Sequence, residues 1–137
     1  MSTCVAANCV VTKQTVLSVD DSLISQQMIK RALDHSYRVL LADNAVDALT
    51  VIYQEAIEAL LLDISMPGID GFELCRTVRS LPRFKNLPIV MVTSRDTEAD
   101  RQEARLSGAS GYLTKPCEPD RLKAVMGRLL PQAPEVN

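Results

Sequence analysis

Apolar residues along this chain fall into two alternating spacings. Short apolar blocks come closed by polar or turn residues: Thr15-Val16-Leu17-Ser18-Val19, Tyr37 to Ala42, Leu60-Leu61-Leu62, Pro88-Ile89-Val90-Met91-Val92-Thr93 and Gly111-Tyr112-Leu113-Thr114. Blocks of this length, with turn residues behind them, read as strands. Between them, apolar residues recur at helical spacing. Ile24, Met28, Ile29, Ala32 and Leu33 form the first stripe, and Ala45, Ala48, Leu49, Ile52 and Ala56 the second. The third turns Leu74, Val78 and Leu81 inward, with Cys75 as a small core filler and Arg76 and Arg79 left to solvent. The fourth, from about Thr97 to Ser107, offers only Ala99, Ala104 and Leu106, so it reads as weakly anchored or as a solvated surface helix. The last, near Pro119 to Leu130, is strongly amphipathic through Leu122, Val125, Met126, Leu129 and Leu130. Ser22 or Asp21 caps the first helix, and His35 falls in a solvated loop after it.

Five strands alternating with five helices imply right-handed crossovers and a parallel sheet covered on both faces. That is an α/β fold in one domain. Residues 1–14 read as an N-terminal tail, with Cys9-Val10-Val11-Thr12 as a potential added strand. Residues 15–131 form the domain and residues 132–137 a C-terminal tail.

Composition narrows the function. The chain of 137 residues is 47% hydrophobic, enough for a sizeable core, and its net charge of -2 comes with no basic block. Direct nucleic-acid binding through phosphates is therefore not expected. No apolar run is long enough to span a membrane, and no secretory signal opens the chain. Cys4, Cys9, Cys75 and Cys117 form no Cys-x-x-Cys pair, so reduced thiols in a cytoplasmic protein are expected rather than a zinc site.

The chemistry gathers at the strand ends. The first strand runs into Asp20-Asp21, the third into Asp63, the fourth ends on Thr93-Ser94 and the fifth runs into Lys115. In an open parallel sheet, ligands bind outside the carboxyl ends of the strands. Taken singly, each residue has a plainer reading: aspartates and hydroxyls cap helices, Tyr112 packs in a strand, and Lys115 is a surface charge. Together they form one edge. Three carboxylates repel unless a cation neutralises them, and oxygen ligands suit magnesium. A lysine and a hydroxyl beside them could hold phosphoryl oxygens, and a carboxylate can serve as nucleophile.

On these residues the chain resembles the receiver domain of two-component response regulators, chemotaxis regulators included. The motifs are Asp20-Asp21, Asp63-x-x-Met66-Pro67-Gly68-x-Asp70-Gly71, Thr93-Ser94 and Tyr112-x-x-Lys115-Pro116, spread over about Thr15 to Leu130. The resemblance implies a flavodoxin-like five-stranded parallel sheet of order 2-1-3-4-5, the order known for the chemotaxis regulators. It implies a phosphoryl group accepted on Asp63 from a histidine kinase or histidine phosphotransfer protein. It also implies Mg2+ held by Asp21, Asp63 and the backbone carbonyl of Ser65, with Asp20 acting largely through water. Thr93 and Lys115 would contact the phosphoryl group, Thr93 and Tyr112 would form the switch, and Lys115-Pro116 would be a cis peptide. An output partner would bind through the fourth helix, fifth strand and last helix. The only catalysis implied is of the domain's own phosphorylation and dephosphorylation.

Two places depart from the usual pattern. Cys117 stands where a Phe often follows the Lys-Pro pair, and Ser110-Gly111 replaces the acidic residues of the winged-helix branch's dimer face. The chain is read as a stand-alone phosphorylatable switch or as the receiver piece of a longer output protein. A phosphatase with an Asp nucleophile is the remaining alternative. Such enzymes typically need a second Asp two residues after the first, and Ser65 occupies that position.

Overall fold

The structure is a computed structural model and describes residues 13–130. Most of the expected tail, its potential strand at Cys9 to Thr12, and Pro131 onward lie outside the described residues. Strands β1 (Thr15–Val19), β2 (Arg38–Ala42), β3 (Ala59–Leu62), β4 (Ile89–Thr93) and β5 (Gly111–Thr114) alternate with helices α1 (Leu23–Leu33), α2 (Ala45–Gln54), α3 (Gly71–Arg79), α4 (Glu98–Ser107) and α5 (Pro119–Leu129). All neighbouring strands pair parallel, in the order β2-β1-β3-β4-β5. The alternation and the sheet order are those the sequence and the family resemblance implied. Among the described helices, none is long and apolar enough to cross a membrane.

The pleat sorts the core into two layers, because successive strand side chains point to opposite faces. Leu17 and Val19, Leu60 and Leu62, and Ile89 and Met91 meet Ile52 of α2, Leu74, Cys75 and Val78 of α3, and Ala104 of α4. On the other face Val16, Leu61, Val90, Val92 and Leu113 meet Ile29 and Leu33 of α1 and Leu122, Val125 and Met126 of α5. Burial on both faces explains why the strands read as near-continuous apolar runs.

The helix stripes hold less well. In α1 the buried face runs through Gln26, Ile29 and Leu33, while Ile24 (74% exposed) and Met28 (50% exposed) face outward. Residues in a helix turn about 100° per position, so an apolar residue one step off the buried line lies on the flank. Ala56 is exposed beyond the end of α2, and Leu81 is half-buried in the turn after α3, whose N-terminal turn contributes the unpredicted core residue Phe72. α4 departs furthest. Ala104 is buried as expected, but Ala99 is exposed and Leu106 is 74% exposed. This helix buries Asp100 and Ser107 instead. Both are satisfied: Asp100 accepts from Arg95, and the Ser107 hydroxyl donates to the Ala104 carbonyl. Polar burial with partners replaces the apolar stripe.

Arg79 is not a solvent residue. Its Nε donates to the Gly108 carbonyl at 2.9 Å, and its two terminal nitrogens donate to the Phe84 carbonyl at 2.9 Å and the Ser110 hydroxyl at 3.2 Å. It thereby ties α3 to the turn before β4 and to the end of α4. Gly108 ends α4 at φ +106, and a β-carbon there would collide with the Arg79 side chain. Among the described residues, the Arg76 side chain makes only an ion pair with Glu103, at 2.9 Å and half-exposed. Arg79→Ala should therefore destabilise by about 1.5–3 kcal/mol, the range for hydrogen bonds made by a charged group. Arg76→Ala should cost at most about 1 kcal/mol, as exposed pairs do. Urea denaturation of both variants measures the difference; equal losses would show that Arg79 is not a clamp.

Candidate functional site

The register of the sheet brings the strand-end residues to one level. Val19 pairs with Leu62, and the ladder runs one step on, with the Asp63 N–H donating to the Val19 carbonyl at 2.9 Å. Asp20 and Asp63 therefore sit side by side. On the other flank Thr93 pairs with Thr114, and the Lys115 N–H donates to the Thr93 carbonyl at 2.8 Å. The Lys115-Pro116 peptide that follows is cis.

Asp20 is 1% exposed, Asp63 is buried and Asp21 is exposed at the rim. One carboxylate oxygen from each of the three lies within 4.8 Å of the others. The Lys115 ammonium donates to Asp20 Oδ2 at 2.7 Å and to Asp63 Oδ2 at 3.4 Å. Burial pushes the Asp20 carboxyl above its ordinary pKa, against the pull of Lys115 and of the Ser22 N–H that donates to it at 2.9 Å. One ammonium against three carboxylates leaves an excess of negative charge, and the donors are all oxygen. That set fits a hard divalent cation such as Mg2+.

The loop after β3 is shaped by glycine. The Gly71 N–H donates to the Ile64 carbonyl at 2.9 Å, which seats the start of α3 on the backbone of Asp63 and Ile64. A β-carbon on Gly71 would strike the Asp63 carbonyl oxygen and come within 2.8 Å of the Ile64 Cα. Asp70 caps α3 by accepting from the Glu73 N–H. Ser65 lies exposed in this loop, two residues beyond Asp63, with Met66 buried beneath it.

Thr93 is fully buried, and its Oγ1 accepts from the Arg95 N–H at 3.3 Å. Tyr112 is half-buried, and its hydroxyl donates to the Arg95 carbonyl at 2.7 Å. Both named switch residues thus contact the same residue of the β4–α4 loop. Arg95 is clamped in turn by Asp100 Oδ1, at 2.7 and 3.1 Å, and lies over the Phe72 ring at 5.4 Å. Arg101 stacks on the Tyr112 ring at 4.7 Å.

Sequence reasoning missed Arg95, Asp100 and Gln26. The spacing Thr97-x-x-Asp100 at a helix start was a visible signal for the second, since Thr97 caps α4 by accepting from the Asp100 N–H. Gln26 stood three residues before Ile29, on the line the buried face follows.

Fold and site together define a doubly wound α/β domain with a lysine-bridged acidic cluster at the carboxyl edge of its sheet. The chain belongs to the response regulator receiver domain family of two-component signalling, whose model matches residues 16–126. It is 40% identical over 105 residues to an uncharacterised 14.6 kDa protein encoded in the sodA1 3′ region of Leptolyngbya boryana, covering 76% of this chain and 80% of that one. It is 37% identical over 116 residues to the response regulator MprA of Mycobacterium leprae. That match takes in 84% of this chain but only 50% of MprA, so the chain spans about half the length of that regulator. Among solved structures, chemotaxis protein CheY4 of Vibrio cholerae superposes with a TM-score of 0.83 at 33% identity, covering 87% of this chain and all of that one. The receiver domain of sensor histidine kinase PA1611 from Pseudomonas aeruginosa, with a magnesium ion coordinated in its active-site cleft, gives 0.79 at 27% identity, covering 86% of this chain and 98% of that one.

The Arg95–Asp100 clamp makes a pH prediction. Arg95 first, and then Thr97, hold the Asp100 carboxyl below its ordinary value of 3.8. A depressed carboxyl stabilises the fold fully above that ordinary value and loses its contribution as pH falls through the lower folded value. Asp100→Ala should therefore be less stable than the parent at pH 7, and the gap should narrow below about pH 3.8. Denaturation of both proteins across that range measures it; a gap independent of pH would remove the clamp.

Proposed function

We propose that this domain is a phosphorylatable switch that accepts a phosphoryl group on Asp63 from a histidine kinase or histidine phosphotransfer protein. The observation that carries the reading is the cluster of Asp20, Asp21 and Asp63, bridged by Lys115. Mg2+ would be held by Asp20, Asp21, Asp63 and the backbone carbonyl of Ser65, and when bound it supplies charge neutralisation for the incoming phosphoryl oxygens. The magnesium site of the Pseudomonas receiver domain supports the assignment.

In the transfer, an Asp63 carboxylate oxygen bonds to phosphorus as the bond from phosphorus to the donor imidazole nitrogen breaks. The electron pair leaves with the imidazole. Lys115, already within reach of Asp63, donates to a phosphoryl oxygen, and Thr93 supplies its hydroxyl to another. With Thr93 drawn inward, the Arg95 backbone that Tyr112 holds shifts, and Tyr112 turns into the space beside Thr93. α4, β5 and α5 then present a changed surface to an output protein. The ligand biases two pre-existing arrangements of these elements by its differential affinity.

The phosphodonor approaches beside Lys115. A cleft of about 560 Å³ runs there between α1 and the start of α5, lined by Met28, Ile29, Lys115, Pro116 and Cys117. Leu23 and Ile24 stand exposed on the same helix. An apolar surface next to the phosphoacceptor suits a helix of the donor. The domain catalyses only its own phosphorylation and dephosphorylation, acts in the cytoplasm, and engages neither nucleic acid nor membrane directly. Residues 15–131 form this unit. The full length of MprA leaves the receiver piece of a longer output protein as the second reading.

With acetyl phosphate and Mg2+, the parent should gain the mass of one phosphoryl group and Asp63→Asn none. Thr93→Ala should gain it too, because nucleophile and metal ligands remain, but should lose most of the amide NMR changes around Tyr112 with beryllofluoride. Phosphorylation of Asp63→Asn would move the acceptor elsewhere. Parent-sized shifts in Thr93→Ala would rule out the relay.

Mg2+ alone should raise the melting temperature. At ten times its Kd, binding to the native state adds about 1.4 kcal/mol. Asp21→Ala should abolish that response. Scanning calorimetry with and without Mg2+ tests it, and an undiminished response in the variant would overturn the ligand assignment.

A further inference from the structure

Gln26 is a buried polar side chain on the otherwise apolar inner face of α1. Its Nε2 donates to the Asp20 carbonyl at 2.6 Å and to the Ala42 carbonyl at 3.2 Å. The Ala42 carbonyl also accepts from the Asp20 N–H at 3.0 Å. One amide therefore ties α1 to the last residue of β2 and to the first residue beyond β1. The carbonyl it holds belongs to the peptide that joins Asp20 to Asp21. On the N-terminal side of that peptide the sheet ladder holds Asp20, and on its C-terminal side the Ser22 N–H donates to Asp20 Oδ1 at 2.9 Å.

We propose that Gln26 is a positioning residue for the acidic cluster: by fixing the Asp20–Asp21 peptide plane, it sets where the two adjacent carboxylates point and so sets the affinity for the divalent cation. The inference rests on the reading of the cluster as a Mg2+ site. Three clustered carboxylates push one another apart, and beyond the Asp20 N–H the chain carrying two of them has left the ladder. Rotation of the Asp20–Asp21 peptide would relieve the repulsion by swinging Asp21 away. The Gln26 amide resists that rotation, since turning the Asp20 carbonyl would leave buried hydrogen-bonding groups unpaired. Partners of this kind, one step behind the ligands, typically change metal affinity about 10–100-fold when removed.

The test is calorimetric titration of the whole chain with Mg2+. Gln26→Met keeps the length and loses the donor. Gln26→Ala admits water to both carbonyls and serves should the methionine variant not fold. Ile29→Ala removes a buried side chain one turn along the same helix and controls for general loosening of α1. The parent should bind Mg2+, either Gln26 variant should bind about tenfold or more weakly, and Ile29→Ala should keep parental affinity at a lowered melting temperature. Parental affinity in the Gln26 variants would overturn the inference alone, as would an equal loss in Ile29→Ala. A parent that binds no Mg2+ would overturn the site reading and this inference with it.

Discussion

The structure turns on the confinement of like charge at the carboxyl edge of the sheet. Asp20 and Asp63 are held next to one another by the β1–β3 ladder, which a one-residue slip would destroy by turning the side chains to the opposite face. Burial raises the cost of ionising Asp20, and Lys115, delivered by β5 from the far side of β4, lowers it. The arrangement is tolerable only because the five strands share one register and one direction. A parallel sheet gathers its strand ends, so residues far apart in sequence meet without any loop having to bend around them. The core packing on both faces is the source of that register.

The same edge connects outward through Arg95. Its N–H donates to Thr93, its carbonyl accepts from Tyr112, and its guanidinium holds Asp100 of α4. Thr93, Tyr112 and α4 are therefore joined through one residue rather than through the core. α4 suits that arrangement. It is held largely by polar contacts: the Arg95–Asp100 pair, Arg76 to Glu103, and the Cys75 thiol donating to the Ser107 carbonyl. Such contacts are directional and can be exchanged for others, whereas a helix packed by large apolar side chains would resist sliding.

The strands and the residues at their ends were legible in the sequence, because a strand buried on both faces leaves an unbroken apolar run and an aspartate or lysine that closes it stands out. Parallel pairing and the crowding of Asp20, Asp21, Asp63 and Lys115 followed from alternation. Helix faces were less legible. In α1, apolarity failed as a guide because Ile24 and Met28 are apolar yet exposed, while the buried position between them is Gln26. In α4, Asp100 and Ser107 occupy the inner face, and a hydrophobic period cannot detect a buried polar residue whose partner comes from another segment. Arg79 shows the same limit: nothing local to α3 marks its bonds to Gly108 and Ser110.

The misplaced residues of α1 are themselves informative. A helix that packs against β1 and α5 on one side needs only Ile29 and Leu33, with the half-buried Ala32 beside them, from its apolar set. Leu23, Ile24 and Met28 then leave half or more of their surface in water, out of a whole worth roughly 1.5–3 kcal/mol each when fully buried. Single exposed apolar residues are ordinary, but these three lie within two turns of one helix, beside a cleft that reaches Lys115. Asp63 is buried, so under the proposed function a donor would have to come close to deliver its phosphoryl group. An apolar rim beside a recessed carboxylate would reconcile those two demands: it would hold a partner by burial while leaving the charged groups of the pocket free for the proposed chemistry.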